Sequence, residues 1–582
     1  MSVFEIKDNF YLDQKPFQII SGSIHYFRVA PQYWRDRLLK LKAMGANTVE
    51  TYLPWNLHEP QKGRFVFDGM ADVEGFVRLA QETGLYVILR PSPYICAEWE
   101  FGGLPAWLLR EDGIRLRCND PHYIQHVMDY YDELIPRLVP LQVTHGGPVL
   151  MMQVENEYGS YGDDKEYLAA LRDGMISRGV DVPLVTSDGP EHDMLTCGHI
   201  DGVFQTGNFG SHTVERFQVL SDYGIQPLMC MEFWCGWFDH WGNGGHQTTS
   251  AEDCAKEFAT MLDMGHVNIY MFHGGTSFGL MNGANDYGFL TPDVTSYDYD
   301  AVLTEDGRIT EKYRLFQKAI QERRSEPLPA PELETIERKT FGEAAPAKSA
   351  SLLALADLLP AHRRVTPVSM ERLGQSYGYT LYRTTLVNER ELRKIQLVKA
   401  ADRAKIYLDG ECILTLYDRE LDSAHTFETP IPVKPGAKLD ILMENMGRVN
   451  YSYKLEMQRK GIDQAVVIND HQRYGWDIVC IDEDAMRSLP LNGEPAKQGQ
   501  PGVYDLTFMV DEPADTFLAL PECGKGTVFL NGFTLGRFWE IGPQKRLYIP
   551  APLLKLGKNF LRIVETEGKF GKAVLMDEPD LG

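Results

Sequence analysis

Short apolar runs alternate with amphipathic stretches along the first 320 residues. Runs at 17–24, 48–53, 86–92, 149–155, 183–187, 202–206, 227–232 and 267–273 have the length of buried strands and lie between turn residues. Between them, 31–44, 71–83, 121–138, 163–178 and 250–264 repeat apolar positions every three to four residues, as helices that bury one face do. Pro31 suits a first helical turn, and Gly45 and Gly84 suit helix ends. A last helix spans about 310–323, whereas 189–200 makes a poor helix. Eight strands mostly separated by helices predict a (β/α)8 TIM barrel rather than an open doubly wound sheet. No GxGxxG follows the first strand, which argues against dinucleotide binding.

Beyond the barrel the pattern changes. Residues 324–372 begin rich in Pro, Ala and Glu and read as a linker. The remainder alternates with the period of strands and repeats itself. "LYRTTL" at 381 precedes "IYLDG" at 406 by 25 residues, and "VYDLTF" at 503 precedes "VFLNG" at 528 by the same 25. "GAKLDILMEN" at 436 is echoed by "GKNFLRIVET" at 557. The expected architecture is therefore a barrel at 1–323, the linker, and two jelly-roll-like β-sandwiches at 373–485 and 486–582. Asp409-Gly410 and Asn531-Gly532 mark hairpin turns. The sandwiches are expected to brace the barrel or form a subunit contact, and a homodimer stays open.

A barrel gives the strand ends a meaning, because its sites form at the carboxyl ends of the strands. Six strands run there into polar-aromatic clusters: "HYFR" (25–28), "PWNLHEP" (54–60), "PYICAEWE" (93–100), "NEYG" (156–159), "EFWCGWFDHW" (232–241) and "HGGTSFG" (273–279). Two acids stand out. Glu157 ends the fourth strand and Glu232 the seventh, so they face each other across the mouth. Opposed carboxylates with aromatic walls are the apparatus of glycoside hydrolysis. Glu155 competes with Glu157 for the acid role. Asn156 and Glu157 can both face the pocket only if the strand has ended or bulged before them, which makes Glu155 a supporting acid paired with a base. Trp234, Trp237 and Trp241 suit a sugar-stacking wall.

Other chemistries fit less well. His240, His246 and Asp239 lack a metalloprotease-type spacing, and no metal is expected. No GxSxG elbow is present for a serine nucleophile. Cys96 and Cys235 read as small neutral lining residues rather than thiolates, and His25 and His58 as structural histidines. A net charge of −24 (58 basic against 82 acidic residues) makes nucleic acid or an anionic membrane an unsuitable partner. There is no apolar stretch of membrane-spanning length and no signal-peptide core, and nine cysteines without CxxC spacing suit a reducing compartment. A cytoplasmic location is expected, with non-classical export left open.

"SGSIHYFR", "ETYLPWNLHEP", "RPSPYICAEWEFGGLPAWL", "QVENEYGSYG", "EFWCGWFDHWG", "MFHGGTSF" and "TSYDYDA" together resemble a glycoside hydrolase family 35 β-galactosidase. The resemblance returns at "LYRTTL", "NMGRVNY" and "LNGFTLGRFW". It implies a retaining exo-β-galactosidase with no cofactor, in which Glu157 is acid/base, Glu232 is nucleophile and Asn156 holds the sugar 2-hydroxyl. It places Tyr52, Cys96, Ala97, Glu98 and Tyr299 against galactose, makes the second sandwich galactose-binding-like and leans towards β-1,3-linked substrates. Trp234 and Leu280 stand where the animal lysosomal members carry tyrosines. Glu157 would start protonated, its pKa raised by a Glu232 charge about 5 Å away. The rivals are a related exo-glycosidase such as a β-glucosaminidase, and a catalytically silent sugar-binding protein. "NMGRVNYSY" (445–453) is expected to pack against the barrel rim.

Overall fold

The computed structural model describes residues 2–491 and 495–582. Eight parallel strands close into a barrel: β1 (Ile20–Ile24), β2 (Thr48–Tyr52), β3 (Tyr86–Arg90), β4 (Val149–Gln153), β5 (Leu184–Asp188), β6 (Phe204–Asn208), β7 (Met229–Trp234) and β8 (His266–His273). All eight coincide with the apolar runs, because a strand covered by helices outside and by the barrel interior inside has no solvent face to carry polar residues. Eight helices follow: α1 (Trp34–Met44), α2 (Val73–Glu82), α3 (Pro121–Leu138), α4 (Lys165–Ser177), α5 (His192–Gly198), α6 (Thr213–Asp222), α7 (Ala251–Met264) and α8 (Glu311–Gln321).

Local chemistry sets their ends. Asp120 caps α3 by accepting from the backbone N–H groups of His122 and Tyr123, ahead of Pro121. Gly45 ends α1 at φ 111°, in the left-handed region that favours glycine. The pattern did not predict α6. Only Thr213, Phe217 and Leu220 of this short helix are buried, too few for a clear period. The poor helix at 189–200 is the seven-residue α5.

The C-terminal half forms two sandwiches with separate cores. In the first, strands at 379–386, 437–444, 403–408 and 411–417 are neighbours in that order. In the second, 502–510, 557–565, 525–530 and 533–539 repeat the order. The sequence repeat is thus a repeat of sheet topology. Asp409-Gly410 and Asn531-Gly532 all have positive φ, as two-residue hairpin turns of this type require. The segment 324–372 is more than a linker. Its residues 345–351 pair with 502–510 of the second sandwich, and 361–364 pair with 476–481 of the first. Residues 345–348 are exposed, so this edge strand lacks the alternation that would reveal it. A shared core of residues such as Leu280, Leu355, Tyr379 and Phe529 then joins the sandwiches.

The first sandwich also reaches the barrel mouth. The hairpin β9 (Ala284–Asp286) and β10 (Leu290–Pro292) pairs through β9 with β11 (Val449–Tyr451), which lies in the 445–453 loop. Beside β11, buried Arg448 binds Glu100 of the barrel at 2.6 Å and Glu371 at 2.5 Å.

Candidate active site

Strand β4 stops at Gln153, and the backbone then turns left-handed at Glu155 (φ 54°) and Glu157 (φ 47°). Each such residue costs about 1–2 kcal/mol, so other contacts must hold the turn. Arg117 provides them. Its Nε and Nη2 donate to the two oxygens of Glu155 at 2.9 and 2.8 Å, and Nη2 also donates to the Asn156 carbonyl at 2.7 Å. Tyr167 Oη donates to Glu155 at 2.9 Å. Glu155 is therefore the buried partner of a base, and Asn156 and Glu157 are both turned to the mouth. Backbone N–H groups of Glu157 and Gly159 bond the end of β5, at the Ser187 carbonyl and the Asp188 carboxylate.

On the opposite side, the pairing of β7 with both neighbours shifts register around Glu232, an irregularity that re-aims the side chain. Glu232 Oε1 accepts from Tyr52 Oη at 2.5 Å and Arg90 Nη1 at 2.6 Å, and Oε2 accepts from Trp234 Nε1 at 3.0 Å. Glu157 accepts one such bond, from Asn208 Nδ2 at 3.0 Å. Burial above all, and the Glu232 charge second, push the Glu157 carboxyl up to about 8. The cause expected for this pair is the Glu232 charge; removal from water is the larger one.

Both acids line one small cleft of about 90 Å³. With them stand Tyr52, Cys96, Ala97, Glu98, Asn156, Trp234, Trp237 and Tyr299, each expected there, and also Ile95, Phe238 and Tyr270. Trp241 is the exception. The chain has left the mouth by that point, and Trp241 faces a separate cavity with Phe538, Trp539 and Gln544 of the second sandwich. Leu280 is likewise buried in the core that joins the sandwiches, away from the cleft.

The lining is strained and braced. Cys96, Ala97 and Glu98 are three consecutive residues at positive φ. Arg28 holds this turn by donating from Nη2 to the Ala97 carbonyl at 2.6 Å. Tyr297 Oη donates to Glu98 at 2.5 Å, and burial first of all lifts the Glu98 carboxyl to about 7. Burial also pushes the Cys96 thiol well up, so it lines the site as a neutral group. Its Sγ and Glu98 both face Asn450 Nδ2 of the first sandwich at 3.5 Å. His25 is buried against Arg28, and His58 bonds Tyr26 Oη and the Val66 carbonyl, so both are structural. No cluster suited to a metal ion occurs among the described residues.

Asn156 shows what its amide has left to offer. Its Oδ1 already accepts from Arg90 Nη2 at 2.7 Å and from Gln153 Nε2 at 3.1 Å, and lies 2.7 Å from the Tyr52 hydroxyl, whose one hydrogen it shares with Glu232. Nδ2 has one long contact, 3.4 Å to the Ile95 carbonyl, so a ligand meets Asn156 as an N–H donor. Arg90, which ties Glu232 and Asn156 together and lies 3.9 Å from the Tyr52 ring centre, was hidden in an apolar strand. Asn208 ends β6, two residues past the apolar run at 202–206, so the run alone does not reach it. Tyr270 sits inside the apolar β8, where a tyrosine carries no signal of its own.

Three family profiles match this chain: "Glycosyl hydrolases family 35" at residues 9–323, "Beta-galactosidase, first all-beta domain" at 367–482 and "Beta-galactosidase, galactose-binding domain" at 501–559. Among curated proteins, human "Beta-galactosidase-1-like protein 3" is 42% identical over 99% of this chain and 88% of its own length. The "Beta-galactosidase" of Xanthomonas manihotis is 42% identical over 93% of this chain and 90% of its own length. The human "Beta-galactosidase" is 40% identical over 97% and 87%. A closed barrel with two glutamates facing one aromatic cleft, followed by two sandwiches, agrees with these matches: the chain belongs to glycosyl hydrolases family 35.

Proposed function

We propose that the protein is a retaining exo-β-galactosidase that removes terminal β-galactosyl residues by double displacement. The observation that carries this reading is the pair of glutamates in one cleft, one beneath three donors and the other with its proton held to about pH 8. Glu232, as carboxylate, attacks the anomeric carbon. Glu157 gives its proton to the departing glycosidic oxygen, and the aglycone leaves. The glycosyl ester that forms is uncharged. Loss of the Glu232 charge lowers the proton affinity of Glu157, which then takes a proton from water as that water attacks the anomeric carbon, breaking its bond to Glu232 and releasing galactose and the Glu232 carboxylate. Asn156 donates to the 2-hydroxyl, a bond that strengthens in the transition state. No step calls for a metal or organic cofactor.

The cleft is small, about 90 Å³, which supports exo action on a single terminal sugar. Glu98 and Tyr299 are the proposed readers of the galactose hydroxyls, since an epimer would leave such buried groups unpaired. The linkage proposed is β-1,3, on the family likeness. Nine free cysteines support a reducing, cytoplasmic location, and no described helix is long and apolar enough to cross a membrane.

The test is Glu157→Gln assayed on two galactosides. Turnover of an unactivated disaccharide should fall by about 10²-fold or more, and turnover of an activated aryl galactoside far less. Equal losses would remove Glu157 from the acid role. A panel of galactosyl disaccharides decides the linkage, and a wild-type chain inert towards all of them would favour a silent sugar-binding protein.

A further inference from the structure

Two loops build one side of the cleft. Residues 235–249 follow β7 and carry Trp237 and Phe238, and residues 296–300 carry Tyr297 and Tyr299. They lie so close that a Cβ on Gly236 would come within 1.8 Å of the Tyr299 carbonyl oxygen. At the inner end, Lys312 of α8 ties them. Its ammonium donates to the Cys235 carbonyl and Thr249 Oγ1, each at 2.7 Å, and to the Asp300 carboxylate at 2.6 Å.

His246 ties them a second time, outside the cleft. Its Nδ1 lies 2.6 Å from Asp239 Oδ2 on its own loop, and its Nε2 lies 3.4 Å from Asp298 Oδ1 on the other. Burial alone would drive off a proton, but the hydrogen bonds and charges of the two carboxylates outweigh it and raise the imidazole to about 10. Both ring nitrogens therefore carry hydrogen at neutral pH. A neutral ring could donate to only one of the two acids. Each carboxylate is also a local hub. Asp239 accepts from the Gln247 backbone N–H at 2.9 Å, and Asp298 accepts from those of Glu305 at 2.7 Å and Asp300 at 3.2 Å. Moving either acid moves the loop that depends on it.

We propose that His246 is a positioning residue: by bonding Asp239 and ion-pairing with Asp298 at once, it sets the spacing between the Trp237–Phe238 wall and the loop that carries Tyr299, and so the fit of the sugar ring. The inference rests on the galactosidase reading, and the experiment separates the two. Kinetics on an aryl β-galactoside are compared for the wild type, His246→Gln, D239N/H246Q and D239N/H246N. In D239N/H246Q the two introduced amides can bond each other, and the longer one can donate onward to Asp298. That neutral chain replaces the native one and keeps the summed charge of the three side chains unchanged. Asparagine at position 246 is too short to span both partners.

H246Q should raise KM about tenfold while kcat changes much less, since ground-state fit is what is lost. D239N/H246Q should return KM most of the way, and D239N/H246N should not. An unchanged KM in H246Q, a defect confined to kcat, or equal KM values in the two double variants would overturn the proposal. Should H246Q fail to fold, the two double variants alone decide it. A wild type without turnover would sink the galactosidase reading instead.

Discussion

Glu157 and Glu232 differ in what surrounds them rather than in what they are. Arg90, Tyr52 and Trp234 converge on Glu232, while Glu157 has the single donor Asn208. In the proposed mechanism the protonated form of Glu157 starts the reaction. Its proton is held up to about 8, so kcat/KM should hold on the acid side of that value and fall as pH rises through it. Glu232→Gln removes the second cause of the shift and leaves burial, the first, in place. In that variant the Glu157 carboxyl band, followed by infrared titration, should shift to lower pH yet stay above the ordinary carboxylate range. An unshifted band would mean that the two groups do not sense each other.

At the scale of an element, the turn after β4 is where backbone strain serves chemistry. Gln153 ends the strand, and two left-handed residues bring Asn156 and Glu157 to the same side, which strict alternation forbids. Arg117 holds that turn through Glu155. Arg117→Met leaves the Glu155 charge buried and unpaired, and should destabilise the protein by about 3–5 kcal/mol. The turn should also relax and misplace Glu157, lowering kcat by about 10²-fold. Denaturant unfolding and steady-state kinetics on the same preparation check both. Full kcat beside the expected loss of stability would show that the turn holds itself.

Across the whole molecule, the cleft depends on a loop from outside the barrel. Asn450 reaches Cys96 and Glu98, the Tyr94 hydroxyl donates to the Asn450 carbonyl at 2.5 Å, and Tyr451 Oη donates to the Ser160 carbonyl, just past Glu157, at 3.1 Å. Arg448 anchors this loop between Glu100 and Glu371, all three buried. Arg448→Met should raise KM for galactosides about tenfold and cost about 3–5 kcal/mol of stability, because two buried carboxylates lose one shared cation. Unchanged kinetics would reduce the sandwich to a brace. The remote segment 324–372 acts on the same scale, since its strands stitch both sandwiches.

Periodicity determined the barrel, because covered strands and one-faced helices must write their burial into the order of apolar residues. It also determined the repeat of the sandwiches, whose hairpin turns demand Asp-Gly or Asn-Gly. Strand-end position singled out Glu157, Glu232 and Asn156, and the family resemblance Tyr52, all now found in one cleft. Only the folded chain decided which neighbours act on them. Arg90 and Tyr270 sit within apolar strands, and Asn450 lies hundreds of residues from the acids. Trp241, adjacent in sequence to the wall, turned away to another cavity. Sequence order records whether a residue is buried. Which charge or donor lies beside it is set by contacts between distant segments, and those contacts are what raised the Glu157 carboxyl and tied the His246 loop in place.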